Sequence, residues 1–323
     1  MMNNTSIAIC LNSTWENQFT LYAVIYGIIT LPGIFGNMVA FVILFKNIKR
    51  EKKAVIFMLN LVVADLAHAL SLPLRIFYYL SHNWPFGHFM CLFCFYLKYL
   101  NMYASIYFLV CISIQRCVFL LYPFKYRSWK RRYDVALSAV GWMTVMLICL
   151  TFPIMRNISP FNSSQCFADL PTRKIKFETS IAMLIISELM GFILPLIIIL
   201  TCTWKTVQSL KSKQNVPHDQ IGKKALKMVL MCATVFLICF APYHLFFGLN
   251  LLKSNITDCS LRKTIIIMHS VTLCLASMNC CLDPIIYYFV TAEFREQLSR
   301  TGSYLSRSRH LSSESTTSHR LDY

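Results

Sequence analysis

The sequence predicts an all-α membrane protein: a seven-transmembrane helix bundle with a short amphipathic eighth helix. Three observations predict it. The composition, 56% hydrophobic and 14% charged with a positive mean hydropathy, is too apolar for a soluble domain, which carries about 25% charged residues. Stretches 19–45, 135–155 and 228–252 contain no Asp, Glu, Lys or Arg, and each can cross a bilayer, which takes about 20 helical residues. Four more stretches are as apolar but carry isolated charges: 54–80 with Asp65 and Arg75, 90–122 with Lys98 and Arg116, 177–204 with Glu178 and Glu188, and 264–291 with Asp283. These runs are too long and too evenly apolar for the alternating strands of a barrel, and helices satisfy their own backbone in lipid.

Charge orders the elements. The net charge of +17 is distributed against a nucleic-acid surface, because the cations fall in alternate loops. Lys46, Lys49, Arg50, Lys52 and Lys53 follow span one; Lys125, Arg127, Lys130, Arg131 and Arg132 follow span three; Lys205, Lys211, Lys213, Lys223, Lys224 and Lys227 follow span five; Arg295, Arg300, Arg307, Arg309 and Arg320 lie in the tail. The positive-inside rule makes these segments cytoplasmic and the amino terminus, without Lys or Arg before Lys46, extracellular. Residues 1–18 lack the basic start and apolar core of a cleavable signal peptide. The expected organisation is an extracellular glycosylated segment (1–18), a membrane bundle (19–291), and a cytoplasmic eighth helix and tail (292–323). Asn-x-Ser/Thr acceptors at Asn3, Asn4, Asn12, Asn162 and Asn255 all fall on the expected outer side.

Of fourteen cysteines, Cys10, Cys91, Cys166 and Cys259 lie in or beside outer segments, where disulfides form. Four cysteines allow three pairings. Cys91 tops span three and Cys166 lies in the long second outer loop, so the expectation joins these two, and Cys10 to Cys259. The rest read as small buried hydrophobes.

Particular residues narrow the class. They are Gly36-Asn37 in span one, LVVAD (61–65) in span two, Gln115-Arg116-Cys117 at the inner end of span three, Trp142 in span four, Pro195 in span five, FLICFAPYH (236–244) in span six and DPIIYYF (283–289) in span seven. In order and spacing this set resembles the rhodopsin-like (class A) G-protein-coupled receptors over nearly the whole chain. The stretches NWPFG, CFYLKYLNMYASIYFLVCIS, ALKM and LICFAPYH further resemble the purinergic-like branch, within it the lysophosphatidylserine receptors.

The resemblance implies roles. Arg116, costly in hydrocarbon at about 2.5–3.5 kcal/mol on the lenient scale, would point into the bundle and meet a G protein when the helices spread; the alternative is an arginine that snorkels to the interface. The family's common acidic neighbour is replaced by Gln115. Phe236, Phe240, Pro242 and Tyr287 would form the switch, with Phe240 where many relatives have tryptophan and Thr203 where many have tyrosine. Asp65, Ser105, Asn279 and Asp283, with Asn101 and Asn37 nearby, would line an allosteric sodium site; no other cofactor is expected. Oxygen ligands suit a hard cation, and two carboxylates repel without one.

The outer half carries Arg75, Lys98, Arg156, Lys253, Arg262 and Lys263, an array suited to a carboxylate or phosphate. Arg75 and Tyr79 share a helix face, as do Tyr99 and Tyr103, so phenols would flank the anion. Nucleotide receptors of the branch place a basic group where this chain has Phe247, a basic or amide group where it has Ser270, and arginine where it has Leu273. Phe152, Ile154, Met155, Met183, Leu184, Ile185, Met190, Phe246 and Phe247 offer apolar surface for an acyl chain, or plain lipid-facing helix. Glu188 is open to Lys98, to a ligand ammonium, or to a neighbouring helix, and His244 completes the candidate set.

The expected function is therefore a plasma-membrane receptor for an anionic lysophospholipid, lysophosphatidylserine by resemblance, that activates a heterotrimeric G protein, by family analogy of the twelve/thirteen class. A nucleotide receptor of the same fold is the alternative. A transporter is disfavoured by the odd span number and the lack of a repeat, and an enzyme by the lack of hydrolase and zinc motifs. Ser312, Ser313, Ser315, Thr316, Thr317 and Ser318 suit receptor kinases and arrestin. No cysteine follows Phe294 to anchor the eighth helix by palmitate.

Overall fold

A computed structural model describes residues 4–49, 55–156, 166–167, 177–212, 220–252 and 258–290. Its helices are α1 (Asn4–Lys49), α2 (Ile56–Ser81), α3 (Gly87–Leu121), α4 (Pro123–Ser128), α5 (Arg131–Cys149), α6 (Thr151–Ile154), α7 (Phe177–Glu188), α8 (Leu194–Ser212), α9 (Gln220–Val235), α10 (Ala241–Leu252), α11 (Cys259–Ser277) and α12 (Asn279–Val290). They make seven spans long and apolar enough to cross a membrane: Glu16–Lys46, Ile56–Ser81, Gly87–Leu121, Arg131–Ile154, Ile181–Lys211, Gly222–Asn250 and Cys259–Ile285. Helix α1 runs through the boundary expected at residue 18, since no glycine or proline interrupts residues 4–26. The eighth helix and tail, Asn3, Asn162, Lys253 and Asn255 lie outside the described residues, as do the side chains of Asn4, Cys10, Asn12 and Tyr287.

Spans five and six each contain a π-helical turn that the sequence pattern did not predict, Leu189–Ile193 and Phe236–Phe240. Leu194 N–H donates to Leu189 O, and Ala241 N–H to Phe236 O, five residues back. Each turn stands just before a proline, Pro195 or Pro242. A proline ring clashes with the carbonyl four residues earlier and has no N–H for it, and the wider turn relieves both.

Polar ties fix the spans. Trp142 Nε1 donates to Asn60 Oδ1 at 2.8 Å, and Asn60 Nδ2 donates to Ile56 O at 2.8 Å and Ser138 Oγ at 3.2 Å, joining spans two and four. Gly141 lets the Tyr107 ring of span three lie against span four, where an added Cβ would stand 2.1 Å from Tyr107 Cε1. Small residues allow such close approach in membranes. Among the described residues, α5 and α6 of span four pack on α3, while α7 of span five packs on α10.

Cys91 and Cys166 form a disulfide with Cα atoms 5.8 Å apart, as expected from the sequence. Cys259 is also disulfide-bonded; its expected partner Cys10 has its side chain outside the described residues. The first bond pins residues 166–167 over the bundle: Cys166 N–H donates to Tyr78 Oη at 3.1 Å, and Phe167 adopts a left-handed φ of 54°, strained for a bulky side chain. Cys91→Ala is expected to remove the receptor from the cell surface, because loss of a native disulfide costs about 2–5 kcal/mol. Flow cytometry of an amino-terminal epitope checks it, and full surface expression with wild-type response would make the bond dispensable.

Candidate functional site

At the Cys91 end a cavity of about 200 Å³ opens between spans one, two, three, six and seven. Four cations line it, Arg75, Lys98, Arg156 and Arg262, together with the phenols of Tyr22, Tyr79 and Tyr99, and no Asp or Glu is among its lining residues. Arg75 is 1% exposed. Its Nη2 donates to the Cys94 carbonyl, and its guanidinium lies 4.6 Å from the Phe167 ring centroid. The Nε atoms of Arg75 and Arg262 are buried without a hydrogen-bond partner. Lys98 Nζ lies 5.3 Å from the Tyr22 ring centroid, and the Arg156 guanidinium 4.7 Å from that of Phe95.

Aromatic packing holds these cations in place. Tyr22 stacks on Tyr79 at 4.8 Å, and Tyr99 stacks on Phe152 at 4.0 Å. Gln18 Nε2 donates to Ser270 Oγ at 2.6 Å, tying span one to span seven beside the cavity. Ring faces carry partial negative charge and so stabilise cations that water cannot reach, while leaving guanidinium edges for a ligand.

Four expected ligand residues sit elsewhere. Tyr103, Glu188, His244 and Phe247 do not line the cavity but form a second group between spans three, five and six. The pairing of Glu188 with Lys98 does not form: Glu188 Oε1 lies 3.3 Å from His244 Nδ1, while Lys98 turns toward span one. Tyr103 Oη is 2.8 Å from Ser187 Oγ, and Phe247 stacks on Tyr243 at 5.4 Å. Gly191, in the first π turn, makes room for this group, since a Cβ there would stand 2.7 Å from Tyr103 Cε1 and 2.9 Å from His244 Cε1.

The apolar set divides. Ile154, Ile185 and Met190 are 60%, 57% and 57% exposed and face outward, whereas Phe152, Met183, Leu184 and Phe247 are half-buried. None of the nine lines the cavity. Phe152 and Ile154 belong to span four, and Met183, Leu184, Ile185 and Met190 to span five.

Mid-bundle, Asp65, Ser105, Asn279 and Asp283 come together, all buried. Asp65 Oδ1 accepts from Asn101 Nδ2 at 2.8 Å and Asn279 Nδ2 at 3.2 Å, and Asn279 Nδ2 also reaches Ser105 Oγ at 2.8 Å. Asn37 instead bonds the Gly33 and Cys280 carbonyls. Asp65 Oδ2, Asn279 Oδ1 and both Asp283 oxygens lack a hydrogen-bond donor. The two carboxyls lie close enough to interact directly, yet two carboxylates have no donor between them. A shared proton or a bound hard cation would relieve their repulsion, with the donor-free oxygens of Asp65, Asn279 and Asp283 as its ligands.

At the opposite end Arg116 is half-buried, with its Nε sealed from water and unpartnered. It lies beside Tyr126 of α4 and Cys232 of span six, so it points into the bundle rather than out to the interface. Burial raises the Tyr126 phenol above its usual pKa, and the Arg116 charge beside it pulls in the other direction. Cys117 packs with Cys202 and Val229. Phe236 and Phe240 are fully buried with ring centroids 6.3 Å apart, and Pro242 follows them. Gln115 Nε2 donates to Asp134 Oδ2 at 3.3 Å, and Trp129 Nε1 to Asp134 Oδ1 at 2.8 Å.

The model of the 7 transmembrane receptor (rhodopsin family) matches residues 36–287. The chain belongs to that family. The receptor is 54% identical over 288 residues to the mouse "Probable G-protein coupled receptor 174", covering 88% of this chain and 86% of that one. It is 51% identical over 324 residues to a human protein described as a putative purinoceptor, covering 98% and 95%, and 33% identical over 298 residues to the human "Lysophosphatidic acid receptor 6", covering 90% and 86%. The receptor thus lies in the purinergic-like branch of the class A G-protein-coupled receptors, related to lysophospholipid receptors.

The sequence pointed to Arg75, Tyr79, Lys98, Tyr99 and Arg156, and these do line one cavity. It missed Gln18, Tyr22, Asn250 and His269 and gave no binding role to Ser270. Gln18 stands at the edge of an apolar run, and the others are polar side chains that a span tolerates singly. Only Arg262 carried a signal, as an outer cation.

Proposed function

We propose that the receptor is activated by an anionic lysophospholipid, lysophosphatidylserine fitting best, which binds at an extracellular Cys91 end and drives nucleotide exchange on a heterotrimeric G protein at a cytoplasmic Arg116 end. The amino terminus is outside and the chain resides in the plasma membrane. The observation that carries this reading is the cavity with four cations and no carboxylate among its lining residues. Buried cations are expensive unless compensated, and a phosphodiester with a carboxylate supplies two negative charges among them. The ammonium of a serine head group donates to the phenol oxygens that line the cavity, since Glu188 is engaged by His244.

A cavity of about 200 Å³ holds a head group and leaves the acyl chain outside it. The seam between spans four and five, flanked by Phe152, Met183 and Leu184, gives that chain an apolar path. Nucleotides are the second reading, favoured by the likeness to a putative purinoceptor and opposed by Phe247, Ser270 and Leu273 where nucleotide receptors of the branch carry basic or amide groups. The G protein is of the twelve/thirteen class, with arrestin engaging the phosphorylated tail. Exchange on a purified G protein, with the receptor in nanodiscs and lysophosphatidylserine, lysophosphatidic acid or ADP added, tests the ligand. Stimulation by ADP alone would overturn the lipid reading.

A sodium ion at Asp65, Ser105, Asn279 and Asp283 is proposed to favour the resting state. Replacing an inert organic cation by sodium at constant ionic strength should weaken agonist affinity about fivefold, at the low end of allosteric couplings. Asp65→Asn should remove that dependence. Equal sodium sensitivity in the variant would leave the carboxyl pair sharing a proton instead.

A further inference from the structure

We infer that Asp134 is a positioning residue that holds the second inner loop against span three in the resting receptor and so limits ligand-independent exchange. Asp134 lies in the first turn of α5 and is 1% exposed. A carboxylate is kept in so dry a place only if hydrogen bonds compensate its lost water. Here the compensation comes from two other elements, one for each oxygen. Gln115 Nε2 reaches Oδ2 from α3, and Trp129 Nε1 reaches Oδ1 from the link that follows α4.

The two donors bracket the inner loop. Helix α4 lies between Gln115 and Trp129 in sequence, and its Tyr126 packs edge-on to Phe119 of α3 with ring centroids 4.9 Å apart. Tyr126 of the loop helix feels the charges of both Arg116 and Asp134. Asp134 itself stands on a hydrogen-bonded base. Ser138 Oγ donates to Asp134 O at 2.8 Å, and Ser138 accepts from Asn60, which in turn accepts from Trp142. Spans two and four are thus joined beneath the carboxylate.

Neutral Gln115 is what makes the arrangement work. An acid at position 115 would face Asp134 as a like charge, whereas the amide can donate to it. Arg116 is left with an unpartnered Nε, so the restraint on this end of the bundle acts through the loop and not through a carboxylate beside the arginine. The inference rests on the reading of the Arg116 end as the G-protein face.

The test is a charge swap in the full-length receptor in nanodiscs, read in two ways. Gln115→Glu sets two carboxylates together and is expected to raise ligand-independent exchange on a purified G protein roughly threefold or more, the range of direct couplings between contacting residues. It should also speed hydrogen exchange of amides 122–130, a readout that needs no G protein. Adding Asp134→Asn restores one donor and one acceptor with reversed sense, and both readouts should return toward wild type. Trp129→Phe, which keeps the ring and loses the donor, should act like Gln115→Glu, and it serves if Gln115→Glu fails to fold. Agonist affinity should rise alongside ligand-independent exchange, because both follow the balance between resting and active states. Unaltered amide protection in Gln115→Glu and Trp129→Phe, or a double variant no closer to wild type than either single one, would overturn the inference. Altered protection with no effect on exchange would refute its functional half. Failure of wild type itself to turn over any G protein with any ligand would instead count against the reading of the coupling face.

Discussion

Arg116→Ala is expected to abolish ligand-driven nucleotide exchange while leaving agonist affinity within a few fold. The two effects separate because Arg116 stands at the end of α3 opposite Cys91 and the cationic cavity. Its guanidinium lies between Tyr126 and span six, the span that carries a π turn and Pro242. Outward movement of that span would uncover the charge for the carboxyl-terminal segment of a G-protein α subunit. Truncating one partner of a desolvated charge contact costs about 2–5 kcal/mol, roughly thirty- to several-thousand-fold, which in an exchange assay is loss of signal. Arg116→Lys should recover a small part, since an ammonium keeps the charge without the planar donors. Radioligand affinity and GTPγS binding on the same membranes decide it. Normal exchange in Arg116→Ala would mean that the residue serves only the packing of Tyr126.

Charge and the length of the apolar runs made the seven spans legible, and charge made half of the site legible for the same reason. Arg75, Lys98 and Arg156 stand out because a cation in an apolar run demands an explanation, and so do Asp65 and Asp283. Rotation about each helix axis is not written in composition. Each residue turns a helix by about 100°, so the sequence could not decide whether Glu188 met Lys98, a ligand ammonium or a neighbouring helix, nor that Tyr103 turns to Ser187 and leaves the cavity. The same uncertainty spread the expected acyl surface over nine residues, of which Ile154, Ile185 and Met190 face outward. Pro195 and Pro242 follow the two π turns closely, but a proline by itself does not say whether a helix kinks, breaks or widens around it. Gln115 showed where an acid was lacking, while the carboxylate that occupies its amide, Asp134, lies on another span.

Arg75→Ala and Arg156→Ala should each lower the potency of lysophosphatidylserine about ten- to a hundred-fold, which is the loss of roughly 1.5–3 kcal/mol of charge-assisted hydrogen bonding. Arg75 has a structural share as well. Its removal leaves the Cys94 carbonyl without that donor and Phe167 without its stacked guanidinium, so surface expression must be measured alongside potency. Arg75→Lys separates the shares, because it keeps a cation near Phe167 but cannot make a bidentate fork to phosphate or carboxylate. It should express like wild type and still lose most of the tenfold. Arg156 stands over Phe95 at the rim and is the cleaner probe of the head group. The tail gives an independent axis: each pair of methylenes removed should cost up to about fifteenfold, at about 0.8 kcal/mol per buried CH₂. If head and tail bind in separate places, cavity and seam, the chain-length slope in Arg156→Ala should match that of wild type while the whole series shifts. A slope that flattens with the arginine removed would place the acyl chain in the cavity itself, and a series indifferent to both arginine and chain length would return the receptor to a nucleotide.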